Sequence, residues 1–239
     1  MEGGARQVTT PQIAPHGMPE KYPLKAAHAL VRQLISEMEA FCVTDSCLVA
    51  GSVRREKPEV KDLEIVALPL WRPRPDGRLP MGRRRKVLRS DEEENLLHSM
   101  WAMRQTRLRW IKAGANADPK ESVRPDGLYW RAEVLGAEVW DPETTRPRLL
   151  RCDIFLASPA NFGKIYMIRT GAARFSEAMF ARAKRVGVPQ FTGIPYAGDF
   201  LTEEEVFAAA GMRFIHPRDR SAETVAEGHE IVNRNGLNR

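Results

Sequence analysis

Asp62-Leu63-Glu64-Ile65-Val66-Ala67-Leu68, closed by Pro69, is the stretch on which the reading of this chain turns. It partly alternates polar and apolar residues, the pattern of a strand with one buried face. Residues i and i+2 of a strand project to the same side, so Asp62 and Glu64 stand together. Adjacent carboxylates repel each other and favour a cation between them. Asp153 lies in a second predicted strand, Leu149–Ala157, within Arg151-Cys152-Asp153-Ile154-Phe155. If the two strands are neighbours in one sheet, three hard oxygen donors converge. Such a set suits Mg²⁺. Two such ions about 3.5–4 Å apart would clamp the attacking and leaving oxygens of an in-line phosphoryl displacement.

Upstream, a short buried strand over Cys47–Ala50 is stopped by Gly51-Ser52, and Ser52 stands ten residues before Asp62. Glycine lets backbone approach a phosphate closely. A serine hydroxyl and a helix N-terminus supply donors to it, and Arg54 and Arg55 follow in the same turn. Gly-Ser alone is an ordinary turn dipeptide, and a D-x-E pair on a strand edge is common. The specific signal is the order: Gly-Ser, then D-x-E, then a distant strand Asp.

Around these motifs the chain reads as α+β, with helices about a small mixed sheet. Residues 1–21 are rich in Gly, Pro and polar residues and read as disordered. Apolar residues recur every three or four positions from Pro23 to Ala40, which predicts an amphipathic helix. Residues 91–112 read as a second helix, opened by a Ser90/Glu93 capping box, with Trp101 and Trp110 on its flanks. Leu128–Trp140 reads as two short strands around Gly136, with Trp130 and Trp140 packing on a sheet face. Residues 160–168 read as helical or irregular, 172–186 and Glu203–Ala210 as helices, and the tail after Arg220 as frayed.

The 239 residues carry 37 Lys and Arg against 31 Asp and Glu, a net charge of +6. Eight basic residues against Asp76 give segment 71–90 a local +7, so the rest of the chain nets −1. Such a cluster displaces counterions from nucleic acid, which marks Arg83, Arg84, Arg85 and Lys86 as candidate DNA contacts. No apolar run is long enough to span a bilayer, and no apolar segment resembling a secretory signal opens the chain. Three cysteines cannot all pair and form no C-x-x-C, which points to a reducing cytoplasm and no structural zinc. Cys152 is expected to be a buried apolar-like thiol on the face opposite Asp153. With no heptad or apolar interface stripe, a monomer without membrane attachment is expected.

Gly51-Ser52-Val53-Arg54-Arg55 followed by Asp62-Leu63-Glu64-Ile65-Val66 resembles the nucleotidyltransferase signature of family X DNA polymerases, the polymerase beta group. Arg151-Cys152-Asp153-Ile154-Phe155 is similar to the strand bearing that family's third metal-binding acid. Arg169-Thr170-Gly171, with Phe175 and Met179, resembles its Tyr-Phe-Thr-Gly turn and following helix. Glu203-Glu204-Glu205-Val206-Phe207 with Pro217-Arg218-Asp219-Arg220 resembles its C-terminal Glu-Glu-Asp-(Ile/Val)-Phe segment. The segments occur in the family's order from about residue 22 to 221, with a looser match over 71–148.

The resemblance implies a nucleotidyltransferase palm over 22–165, carrying a basic insertion at 71–148. It also implies a smaller α/β thumb-like domain over 166–221 and a flexible tail over 222–239. It implies addition of a dNMP to the 3′-hydroxyl of a DNA primer or primer-template, with release of pyrophosphate. Asp62, Glu64 and Asp153 would be the catalytic and metal-binding acids for two Mg²⁺ ions, with Mn²⁺ able to substitute. Gly51, Ser52 and Arg55 would bind the nucleotide's β- and γ-phosphates, and Arg169, Thr170 and Gly171 would complete its site. Glu64 stands where the family has Asp, and Ile168 and Arg169 stand where it has Tyr-Phe. Ser176 and Phe180 stand where it makes polar contacts to the base pair. With fifty residues ahead of Gly51, the family's N-terminal lyase and helix-hairpin-helix region is expected to be absent. The alternatives are the same core acting on a non-DNA acceptor (an RNA end, a protein or a small molecule) and a non-catalytic nucleic-acid-binding module.

Overall fold

The alternation along Asp62–Leu68 is realised in a five-stranded sheet. The computed structural model describes residues 21–73, 93–97, 108–113, 129–140, 147–192 and 201–226. Its strands in chain order are β1 (Tyr22–Pro23), β2 (Cys42–Val49), β3 (Glu59–Val60), β4 (Asp62–Pro69), β5 (Trp71–Pro73), β6 (Glu93–Asn95), β7 (Leu108–Ala113), β8 (Tyr129–Trp140) and β9 (Pro147–Leu156). The helices are α1 (Leu24–Met38), α2 (Gly51–Arg54), α3 (Phe162–Thr170), α4 (Ala173–Arg185), α5 (Pro189–Thr192) and α6 (Glu203–Ala209).

The main sheet has the order β2-β4-β9-β8-β7. Its β4–β9 pair is parallel, and the β2–β4, β9–β8 and β8–β7 pairs are antiparallel. The strand-to-strand register sets the chemistry of each face. Leu63 and Ile65 of β4, Cys152 and Ile154 of β9, and Trp130 and Ala132 of β8 are fully buried on one face. Against them α1 lays Ala27, Leu30, Val31, Leu34 and Met38, spaced at three- and four-residue steps as its periodicity predicts. Burying a side chain such as Leu34 contributes about 1.5–3 kcal/mol each. The residues in between, Asp62 and Glu64, Arg151 and Asp153, Tyr129 and Arg131, therefore share the other face.

A second apolar core gathers Phe175 and Met179 of α4, Val206 and Phe207 of α6, and Phe191 of α5. Helix α6 opens with a reciprocal cap: Glu205 N–H donates to Thr202 Oγ1 at 3.3 Å, and Thr202 N–H donates to Glu205 Oε2 at 3.0 Å. Helix α3 meets that cap through Gly163, where a Cβ would lie 2.0 Å from the Thr202 carbonyl oxygen. Only glycine permits this approach.

The region 91–112 departs from the helix expected there. Glu93–Asn95 pairs with β5, and Leu108–Ala113 pairs with β8 at the sheet's end. Leu108, Trp110 and Ile111 satisfy a helical period, but partner edges on β5 and β8 supply ladder bonds that local periodicity cannot foresee. Trp110 thus belongs to a strand, and Glu93 opens a strand rather than closing a capping box; Ser90 and Trp101 lie outside the described residues. Leu128–Trp140 is one long strand rather than two, with its pairing to β9 shifted between Leu135 and Trp140, across Gly136. Two of the five sheet strands thus come from within 71–148. All three cysteines are buried and free, and burial raises the Cys152 thiol above its ordinary range.

Candidate functional site

Strands β4 and β9 are direct neighbours, which the sequence left as a condition. The register sets Asp62 opposite Arg151 and Glu64 opposite Asp153. All four side chains belong to the face turned away from the α1 core. The turn after β2 closes over this face. Ala50 N–H donates to the Glu64 carbonyl at 2.7 Å, which fixes Gly51 beside that strand. Gly51 has φ +63°, a left-handed conformation. A Cβ there would lie 1.9 Å from Glu64 Oε2. The glycine is thus required twice, by its backbone and by the carboxylate packed on it.

The three acids experience different surroundings. Burial pushes the Glu64 carboxyl up to about 7. The Asp62 charge adds to this, Arg169 and Arg55 oppose it, and Asp153 adds further. Asp62 accepts from Arg151 Nη2 at 2.5 Å. Asp153, only 6% exposed, accepts from Arg131 Nε at 2.8 Å and Nη2 at 3.1 Å and from the Tyr129 hydroxyl at 2.9 Å. Burial and the Asp153 carboxylate together push the Tyr129 phenol up to about 12. Among the described residues no group of three His, Cys, Asp or Glu side chains is gathered so as to hold a metal ion. The physical reason is visible in the contacts: two of the three carboxylates are turned onto arginines.

The turn Arg169-Thr170-Gly171 ends α3 beside α2. Arg55 Nη1 donates to the Thr170 carbonyl at 2.5 Å, and Arg54 Nη1 donates to the Thr170 hydroxyl at 2.7 Å. Thr170 is fully buried, so its hydroxyl is spent on Arg54. Arg169 is exposed, its guanidinium carbon 3.9 Å from the centre of the Phe155 ring. Phe155 stacks in turn on Tyr129 at 5.1 Å. Gly171 caps α3 through its N–H to the Met167 carbonyl. Ser52 sits half-buried in α2. Arg83, Arg84, Arg85 and Lys86 lie outside the described residues.

Three groups that the sequence motifs contain but to which sequence reasoning gave no site role, Arg54, Glu203 and Arg220, organise this site. Arg54 makes a two-pronged pair with Glu203 at 2.8 and 2.7 Å and lies 3.8 Å over the Tyr166 ring. Glu203 holds Arg220 as well, at 2.7 and 3.0 Å, and the Arg220 side chain is fully buried among Phe175, Phe207 and Phe214. One carboxylate thus ties the turn after β2 to the helical core. Tyr129 and Arg131 were also missed. Their signal was the alternation Tyr129, Trp130, Arg131, Ala132: polar on the face of Asp153, apolar on the face of the core.

No family model and no curated protein sequence matches this chain. Among the described residues no helix is long and apolar enough to cross a membrane. The fold is similar to that of polymerase beta from Leishmania infantum, solved as a ternary P/T complex. The TM-score is 0.55 at 17% sequence identity, and the match covers 84% of this chain and 77% of that one. The chain therefore has a polymerase beta-like fold, with its small mixed sheet flanked by helices.

Proposed function

We propose that this chain is a nucleotidyltransferase that adds a dNMP from a dNTP to the 3′-hydroxyl of a DNA primer. The observation that carries the reading is the register of Glu64 against Asp153, with Asp62 two residues earlier on the same face, beside the Gly51 turn. The polymerase beta-like fold and the P/T complex of its structural neighbour support a primer-template as the partner. In this reading 22–165 is the palm and 166–221 the thumb-like domain.

Asp62, Glu64 and Asp153 fit a hard divalent cation by donor chemistry. They offer only carboxylate oxygen, and the Asp62 and Asp153 charges already oppose ionisation of Glu64, an opposition that a bound cation relieves. These three residues would hold Mg²⁺, or Mn²⁺ in its place. Bound there, the ions would stabilise charge on the attacking and leaving oxygens. The transfer joins the 3′-oxygen to the α-phosphorus and breaks the bond from that phosphorus to the oxygen bridging to the β-phosphate, so that pyrophosphate leaves. Asp153 accepts the hydroxyl proton. Gly51, Ser52 and Arg55 hold the β- and γ-phosphates, and Arg169 and Gly171 border the sugar and base, with the buried Thr170 between them anchoring Arg54 and Arg55. Arg83, Arg84, Arg85 and Lys86 contact the DNA backbone.

Extension of a labelled primer tests this, with and without template, in Mg²⁺ and then Mn²⁺, each dNTP and rNTP supplied separately. The expected result is nucleotide addition with pyrophosphate release, lost in Asp153→Ala. Absence of addition under every condition, with DNA still bound, would sink the reading.

A further inference from the structure

Asp153 is held by protein donors on the side where its role requires it to be free. Two hydrogen bonds from Arg131 and one from the Tyr129 hydroxyl occupy three of the roughly four lone-pair positions of the carboxylate. Both donors come from the neighbouring strand β8, where Arg131 is registered directly opposite Asp153 and Tyr129 opposite Phe155. The Arg131 guanidinium carbon also lies 5.6 Å from the Tyr129 ring centre, so the two donors brace one another. The arrangement satisfies a nearly buried carboxylate without any ion. It also explains why the three acids share a face and yet do not gather.

Arg131 differs from its partner in one respect. Its side chain is 33% exposed, against 9% for the Asp153 side chain. A partly exposed, planar guanidinium is well matched to a phosphate, which offers two oxygens in the same fork geometry as a carboxylate. A strand whose 3′-hydroxyl reaches Asp153 brings its last phosphodiester into the same neighbourhood, because the two are joined through one sugar.

We propose that Arg131 and Tyr129 form a latch on Asp153, which opens when the phosphodiester next to the primer 3′-terminus takes the Arg131 guanidinium and frees the carboxylate for a divalent ion. The inference rests on the reading of Asp153 as an acid of nucleotidyl transfer. It makes Arg131 a positioning residue and a specific phosphate contact. It also fixes an order: nucleic acid first, then the ion that Asp153 holds. By thermodynamic reciprocity, the ion in turn tightens the primer.

The test reads ion binding rather than turnover. Free Mn²⁺ is followed by electron paramagnetic resonance during titration of wild type, Arg131→Met, Arg131→Lys and Tyr129→Phe. Each is measured alone and with a primer-template ending in a 2′,3′-dideoxynucleotide, which cannot react. Wild type is expected to bind Mn²⁺ about tenfold more tightly with the primer-template than without it, within the range of ordinary site-to-site coupling. Arg131→Met should bind Mn²⁺ tightly without DNA and lose most of that enhancement. Arg131→Lys, which keeps the charge but not the fork, should fall between. Tyr129→Phe removes one donor, keeps the ring packed on Phe155, and should shift in the same direction by less; it carries the test if Arg131→Met does not fold. Unchanged or weaker Mn²⁺ binding in the variants, with the DNA enhancement intact, would overturn the latch. If wild type extends primers while that result is obtained, the latch alone fails. If no form binds Mn²⁺ and none extends a primer, the functional reading fails with it.

Discussion

Gly51 and Glu64 compete for the same space. A Cβ on Gly51 would stand 1.9 Å from Glu64 Oε2, and the left-handed φ of +63° at Gly51 disfavours any side chain there. The glycine of the Gly-Ser turn thus has a packing role of its own. It leaves room for the carboxylate of the neighbouring strand.

Gly51→Ala should fail for both reasons. A residue with a Cβ at positive φ is strained by about 1–2 kcal/mol, and the clash forces Glu64 aside. The expected outcome is a lowered midpoint in urea and loss of nucleotide addition. Ser52→Ala should keep wild-type stability and weaken nucleotide binding. A stable and fully active Gly51→Ala would show that Glu64 can move without consequence.

The raised Glu64 carboxyl makes stability without metal depend on pH. Its folded value is about 7, against an ordinary 4.5. The folded state therefore binds the proton more tightly, and its stability falls as pH rises from about 4.5 to about 7. Glu64→Gln has no such proton. The midpoint of wild type relative to Glu64→Gln should drop across that window by the equivalent of about 1–3 kcal/mol and then level off. Chemical denaturation in a chelating buffer at pH 5, 6, 7 and 8 checks it, and parallel curves for the two proteins would refute the assignment.

Glu203 compensates two guanidiniums at once, and one of them, Arg220, has a fully buried side chain. Breaking a buried ion pair from one side leaves an uncompensated charge and costs about 3–5 kcal/mol. Glu203→Gln should therefore destabilise severely. Arg218→Ala, which removes an exposed pair with Glu56, should change stability by about 1 kcal/mol or less. Equilibrium unfolding in guanidinium chloride separates the two.

The Arg83, Arg84, Arg85 and Lys86 cluster is tested by salt. Neutralising all four should flatten the plot of log affinity for duplex DNA against log salt by up to about 3 to 4. An unchanged slope would remove this segment from the DNA contact.

Much of the fold was legible because local patterns sufficed for it. The helical spacing of Ala27, Leu30, Val31, Leu34 and Met38 names the buried face of α1. The β4 alternation placed Asp62 and Glu64 on one side. The Gly-Ser turn, D-x-E and strand Asp, in order, picked out residues that the structure sets on two neighbouring strands and on the turn beside them. The segment containing Leu108 and Trp110 was misread because its apolar spacing suits both a helix and an edge strand. Its pairing partner, β8, lies some twenty residues further along the chain.

Composition and periodicity are properties of neighbours in the chain, and they located α1, β4 and the charged segment and singled out the three carboxylates as candidates. Register between strands, and the meeting of distant side chains, are properties of closure. Only the tertiary structure set Glu64 opposite Asp153 and Asp62 beside Arg151, partners 89 residues apart in the chain. Only it turned Asp153 onto Arg131 and Tyr129, and hung Arg54 and Arg220 on Glu203. The reason is that a carboxylate's partner is chosen by which donor the folded backbone brings within about 3 Å, and no local pattern encodes that choice.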